Sequence, residues 1–223
     1  GNISGLKNAS LSNKTVNSVT VRGSEAWVCM SFGLVRIDLA SRTVVDTYNL
    51  GENILSCNFT ADNIYVSGET NGIRRCPLNV NMHEVGEFVS VHSTLQLAAI
   101  KPWRGGLVGL NEKTLVFIDP ATDTVGTLAN ARFYGMCVLD DTRLLCSRTD
   151  GVYMYHATKP AQRVLPDCGV THMDASGSHI YAACGYQGLM RYAANADGAS
   201  ALTATGGPYL PAGPRLNNYY KMH

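Results

Sequence analysis

Along this chain, strand-sized runs in which apolar and polar residues alternate are separated by glycine, proline, asparagine and aspartate. Alternation with a period of two predicts β-strands half buried between neighbouring sheets. One sentence recurs in the pattern. In residues 180–192 a β-rich run ends in small residues, a short polar turn closes on glycine, and an alternating run leaves it, which is the signature of a β-hairpin. Residues 26–37, 64–75 and 144–155 repeat it, and residues 106–118 keep the pattern with Thr114 where the others have glycine. The anchor positions 33, 72, 114, 151 and 188 are 39, 42, 37 and 37 residues apart. A repeat of about 40 residues is the length of one four-stranded propeller blade.

The predicted fold class is therefore all-β, a β-propeller of about five four-stranded blades. The strands expected are 18–22, 26–30, 34–39 and 43–50 in the first blade, and 55–59, 63–67, 73–78 and 85–91 in the second. The third has 96–100, 106–110, 115–119 and 125–128, with Lys101-Pro102-Trp103-Arg104-Gly105 read as a longer and bulkier turn than usual. The fourth has 136–139, 143–147, 152–156 and 162–165, and the fifth 170–174, 179–183, 189–193 and 201–204. No run repeats at i, i+3, i+4 over more than a turn, so no ordinary helix is expected. Residues 1–15 read as a lead-in or a closing strand, and residues 16–223 as one propeller segment. Residues 217–223 resemble an inner strand opening a sixth blade, which predicts an N-terminal piece of a larger propeller. An open strand edge there invites pairing with a second copy.

Charge narrows the partners. Eighteen Lys and Arg against seventeen Asp and Glu leave a net charge of +1, so no field draws nucleic acid or an anionic membrane. No apolar run approaches the length of a membrane helix. The sequence starts at Gly1 without methionine or leader, which suggests a trimmed chain whose targeting signal is not seen. Seven cysteines cannot all pair with one another, and none forms a Cys-x-x-Cys motif. Cys29, Cys146 and Cys184 stand four or five residues before their repeat glycines and are expected to be small buried residues in equivalent places. The sequons at Asn2, Asn8, Asn13 and Asn58 matter only in a eukaryotic secreted protein.

Catalytic signals are weak. The six histidines lack metal-ligand spacing, Asp140-Asp141 reads as a turn dipeptide, and no Gly-x-Ser-x-Gly elbow exists. Cys57 or Cys137 with His172 is a conceivable nucleophile and base on inner strands, and nothing in the spacing tests it. Gly105-Gly106 and Gly206-Gly207 precede no helix and so cannot cradle a phosphate. No catalytic residue, metal or cofactor is predicted. The functional surface expected is the loop face between second and third strands and between successive blades, as in other propellers. It contributes Glu69, Asn71, Arg132, Phe133, Tyr134, Arg148, Asp150, Tyr186 and Gln187. Aromatics beside arginine suit a protein or sugar partner.

The run Phe32-Gly33-Leu34-Val35-Arg36-Ile37-Asp38-Leu39, followed by Thr43-Val44-Val45-Asp46-Thr47-Tyr48-Asn49-Leu50-Gly51, resembles the first blade of PorZ-like propeller proteins of the type IX secretion system. The likeness continues in Thr70-Asn71-Gly72-Ile73-Arg74-Arg75-Cys76-Pro77-Leu78 and in the Gly-Pro-rich stretch from Gly207-Pro208 to Tyr220. The chain is also similar to two-component-regulator propellers, although their Trp-Ile-Gly-Thr strand signature is absent. The resemblance implies a non-catalytic cell-envelope protein of a Bacteroidota bacterium, in the periplasm or on the outer surface. It further implies a longer chain with another propeller and a C-terminal sandwich, and a role in secretion and surface attachment of cargo, including recognition of anionic lipopolysaccharide. Two other classes compete: a periplasmic sensor propeller of a two-component regulator binding glycans, and a propeller-fold lyase or glycosidase. The sensor predicts a downstream membrane helix and kinase, whereas the enzyme predicts His, Tyr and acidic residues converging on a deep cleft.

Overall fold

In the computed structural model, residues 15–185, 187–194 and 202–209 are described, and their regular structure is β apart from one 3-10 turn at Val85–Glu87. The first sheet comprises β1 (Val16–Arg22), β2 (Glu25–Met30), β3 (Gly33–Asp38) and β4 (Thr43–Asn49). The second comprises β5 (Ile54–Phe59), β6 (Asn63–Gly68), β7 (Gly72–Pro77) and β8 (Val89–His92). The third is β9 (Ala99–Trp103), β10 (Gly106–Leu110), β11 (Thr114–Asp119) and β12 (Thr124–Asn130). The fourth is β13 (Phe133–Asp140), β14 (Arg143–Arg148), β15 (Gly151–His156) and β16 (Gln162–Pro166). The fifth is β17 (Val170–Ser176), β18 (His179–Cys184), β19 (Gly188–Ala194) and β20 (Leu202–Tyr209). In every sheet each strand pairs antiparallel with its neighbour in the chain. The residues group into two compact units, one holding the first two sheets and most of the third, the other holding the last two.

Within the first unit, alternation sends successive side chains to opposite sides of the second sheet. Ile64, Val66 and Cys76 pack with Trp27, Cys29, Leu34 and Tyr48 of the first sheet. Tyr65 and Ile73 pack instead with Leu97, Ile100, Leu107 and Val116 of the third. Burying an aliphatic side chain of this size contributes roughly 1.5–3 kcal/mol. Trp27 stacks on Tyr48 at 5.7 Å and meets the edge of Phe59 at 5.1 Å. The inner strands are also stitched together by side chains. Thr20 donates to the carbonyl of Cys57 at 2.7 Å, Ser56 to that of Leu97 at 2.7 Å and Asn58 to that of Ile100 at 2.9 Å. These partners stand 37, 41 and 42 residues apart, so the repeat length recurs as a bonding interval. In the second unit, Leu145, Val152 and Met154 of the fourth sheet pack with Val170, Met173, Ile180 and Tyr192 of the fifth.

The repeat glycine has a steric cause. At Gly72 φ is +62° and at Gly151 it is +139°, backbone that residues with a side chain rarely adopt. A Cβ there would also collide with the fourth strand, against the carbonyl of His92 at Gly72 and of Leu165 at Gly151. Thr114, at the corresponding place in the third sheet, does not need the rule, because its φ is not positive. Its hydroxyl donates to the fourth-strand carbonyl of Ala129 at 3.3 Å.

Two expectations are corrected. The inner strand of the third sheet runs through Lys101 and Pro102 to Trp103, so the long turn is absent. In its place Arg104 (φ 56°) and Gly105 (φ 73°) make a two-residue turn with both φ positive, the geometry that matches strand twist. The last strand of the second sheet is confined to Val89–His92, because the chain turns on Glu87 N–H to Glu84 C=O and Phe88 N–H to Val85 C=O bonds just before it. Residues 1–14 and the expected sixth-blade strand at 217–223 lie outside the described residues.

Candidate functional site

In a four-stranded antiparallel meander, the turn between strands two and three and the exit from strand four fall at the same edge of the sheet. In the first unit this edge carries Glu69 and Asn71, in the turn between β6 and β7. Their polar groups are largely engaged. Glu52, in the connection from β4 to β5, is buried beneath the turn and accepts hydrogen bonds from Thr70 N–H at 2.8 Å, Asn71 N–H at 3.0 Å and Asn71 Nδ2 at 2.9 Å. The buried Arg74 guanidinium donates to the same carboxylate at 2.5 Å. Burial pushes the Glu52 pKa up, but the bonds from Asn71 and Thr70, with the charge of Arg74, outweigh it and hold the carboxyl below its ordinary value of 4.5. Glu69 is drawn in too, accepting from Asn53 Nδ2 at 3.2 Å and, through its carbonyl, from Gln96 Nε2 at 2.5 Å.

In the second unit the edge is different. Arg148 and Asp150 flank the β14–β15 turn with nitrogen and oxygen 3.4 Å apart, and the Arg148 guanidinium lies 4.0 Å from the ring of Tyr153. The Tyr153 hydroxyl donates to Asp150 at 2.6 Å, and that bond holds the Asp150 carboxyl below its usual value while raising the phenol's. Asp150 and the neighbouring Arg163 are exposed. Arg132 is exposed, with its guanidinium 5.6 Å from the Tyr134 ring. It opens a shallow depression of about 480 Å³ shared with Glu112, Lys113 and Ala131. Ala131 N–H donates to the Lys113 carbonyl and Phe133 N–H to that of Glu112, which tie the β10–β11 turn to this connection. Cationic and aromatic groups held side by side on paired strands can take a planar, acidic or hydroxyl-rich partner.

Of the nine residues read from the sequence, Glu69 and Asn71 share one turn, Arg148 and Asp150 another, and Arg132 and Tyr134 a third position. Gln187 is exposed in the β18–β19 turn, and Tyr186 lies outside the described residues. Phe133 is corrected: it is 1% exposed and belongs to the interior rather than the face. Five participants were not singled out. Tyr153 alternates outward between buried Val152 and Met154, a readable signal; Arg163 sits across from it. Glu112 and Lys113 stand in the one repeat turn without glycine. Glu52 left no sequence signal, because its partners come from a turn eighteen residues away.

Asp140 behaves as the turn residue it was read to be. It accepts from Thr142 N–H and hydroxyl and from Arg143 N–H and Nε, at 2.7 to 2.9 Å. Cys57 and Cys137 are each 1% exposed, and the Cys57 thiol, bonded to Cys29 and buried, is pushed well above its ordinary pKa, which disfavours the thiolate a nucleophile needs. Among the described residues no three His, Cys, Asp or Glu gather in a metal-holding group, and no helix is long and apolar enough to cross a membrane.

The family model for the PorZ N-terminal β-propeller domain of the type IX secretion system matches residues 1–87. The likeness read at residues 32–51 and 70–78 falls within that stretch. PorZ of Porphyromonas gingivalis, an essential bacterial surface component of that system, matches the whole chain with a TM-score of 0.76 at 19% identity. The chain spans 30% of that protein's length. The WD40 domain of Neurospora crassa Pan2 matches 85% of the chain, which covers 64% of it, with a TM-score of 0.63 at 12% identity. The extracellular domain of a putative one-component system from B. thetaiotaomicron matches 75% of the chain, which covers 26% of it, at 0.57 and 21%. No curated protein matches. The fold is thus a β-propeller.

Proposed function

We propose that this chain is a non-catalytic recognition module of a cell-envelope protein that takes part in type IX secretion. The observation that carries the reading is double: the first 87 residues match the PorZ propeller by sequence, and the whole chain follows the PorZ fold. The module's surface is supplied by the edge of the second unit, where Arg148, Tyr153, Asp150 and Arg163 present charge and an aromatic face to a protein or to an acidic glycan such as lipopolysaccharide. The location that follows is the periplasm or outer surface.

The test is genetic. Deleting the gene from its host is expected to lower the amounts of type IX cargo on the surface and in the medium, and restoring the full-length protein to recover them. Undiminished cargo would overturn the reading. A second reading is favoured by the likeness to the one-component-system extracellular domain: a sensor propeller that binds glycans. It predicts intact secretion in the deletion strain together with a lost transcriptional response to a glycan.

A further inference from the structure

Seven cysteines are spread over the chain, and the structure treats two of them unlike the rest. Cys168 lies in the connection from β16 to β17, and Cys184 ends β18. The Cys184 thiol donates to the sulfur of Cys168 across 3.8 Å. The flanking backbone holds them side by side: Val170 pairs with Cys184 in the β17–β18 register, and Gly185 N–H donates to the carbonyl of Gly169 at 2.8 Å. Rotation about the side chains of two such neighbours can bring their sulfurs to the bonding distance of about 2.0 Å.

We infer that Cys168 and Cys184 are a dithiol site that a small disulfide of the oxidised-glutathione class converts to an intramolecular disulfide. Access separates this pair from the others. Cys168 is the one partly exposed cysteine, whereas Cys29 and Cys57, also neighbours, are 0% and 1% exposed and sealed in the core between two sheets. Reactivity points the same way. The bond donated by Cys184 lowers the Cys168 pKa against the effect of burial, while that bond and burial raise the pKa of Cys184. Cys168 is thus the attacking sulfur and Cys184 the resolving one.

The Cys168 thiolate attacks one sulfur of the glutathione disulfide, whose S–S bond breaks and releases a glutathione thiolate. Cys184 then gives its proton to water and attacks the Cys168 sulfur of the mixed disulfide, expelling the second glutathione thiolate. The two protein thiols lose two electrons, the external disulfide gains them, and the released thiolates take up the two protons. The product ties the connection into the fifth sheet to the turn that carries Gln187, closing a loop whose ends are 16 residues apart.

The test is to incubate the native full-length protein with oxidised glutathione, block remaining thiols in denaturant and digest with trypsin. Residues 164–191 form one tryptic peptide containing Cys168, Cys184 and no other cysteine. The expected result is that this peptide escapes blocking and is lighter by two hydrogens, while the cysteines elsewhere remain blocked. The melting temperature should rise by roughly 5 °C on oxidation. Cys184→Ala should stop at a glutathione adduct on Cys168, and Cys168→Ser, at a partly exposed position, should give neither adduct nor crosslink. A fully blocked 164–191 peptide, or a wild-type adduct that never resolves, would overturn the inference.

Discussion

The second and fourth sheets use the same hairpin for opposite ends. In the second, the turn between β6 and β7 is spent inward: Glu52 takes two of its backbone N–H groups and the Asn71 side chain, and Arg74 neutralises the carboxylate from below. In the fourth, the turn between β14 and β15 looks outward, with Arg148, Asp150 and Tyr153 bonded to one another at the surface. Both have glycine at the same place for the same steric reason. A repeat therefore specifies the backbone of a turn and leaves its chemistry open, and whether a polar residue there is structure or site depends on what lies beneath it.

The comparison breaks most visibly at Glu52. Glu52→Ala should destabilise the protein by about 3–5 kcal/mol, since it strands a buried guanidinium, and lower the melting temperature by roughly 10 °C. Adding Arg74→Met should recover much of the loss in denaturant titration. A small effect of Glu52→Ala alone would mean the turn is not held from below. Gly72→Ala and Gly151→Ala should each cost about 2 kcal/mol or more, and by similar amounts, because the backbone demand is shared. Unequal losses would show that the two hairpins differ in backbone as well as chemistry.

Acid sharpens the contrast further. The Glu52 pKa is lower in the folded state than in the unfolded chain, so its contribution is complete above about 4.5 and is lost as pH falls through the depressed folded value. Stability measured from pH 6 downward should fall less steeply in Glu52→Gln than in the parent protein, once their difference at neutral pH is subtracted. The smallest stability effect is expected at the fourth sheet, where Arg148→Ala and Tyr153→Phe should move the melting temperature by no more than about 2 °C.

Much of the fold was legible because alternation, turn residues and the interval near 40 residues all come from local chemistry. Two misreadings concern turns. Lys101-Pro102-Trp103 looked too bulky for a strand, yet Pro102 occupies an exposed position where its missing donor is tolerated and Trp103 turns inward. Around Val85, turn-forming backbone bonds override an alternating pattern. The candidate face was legible only as a set of turns. Nothing local distinguishes Asn71, committed to Glu52, from Asp150, left at the surface, because the deciding partner of Asn71 arrives from the connection between β4 and β5, nineteen residues back in the chain. Phe133 was misplaced because a connection and the first residue of an inner strand look alike until packing is known.

The most direct test joins stability to function in one experiment: the full-length protein carrying Arg148→Ala with Tyr153→Ala, compared with Glu52→Ala, each scored for melting temperature and for type IX cargo delivered by its deletion host. The account predicts that the surface pair loses cargo delivery by severalfold or more at nearly unchanged melting temperature, whereas Glu52→Ala melts early. Full cargo delivery by the surface double variant would contradict it.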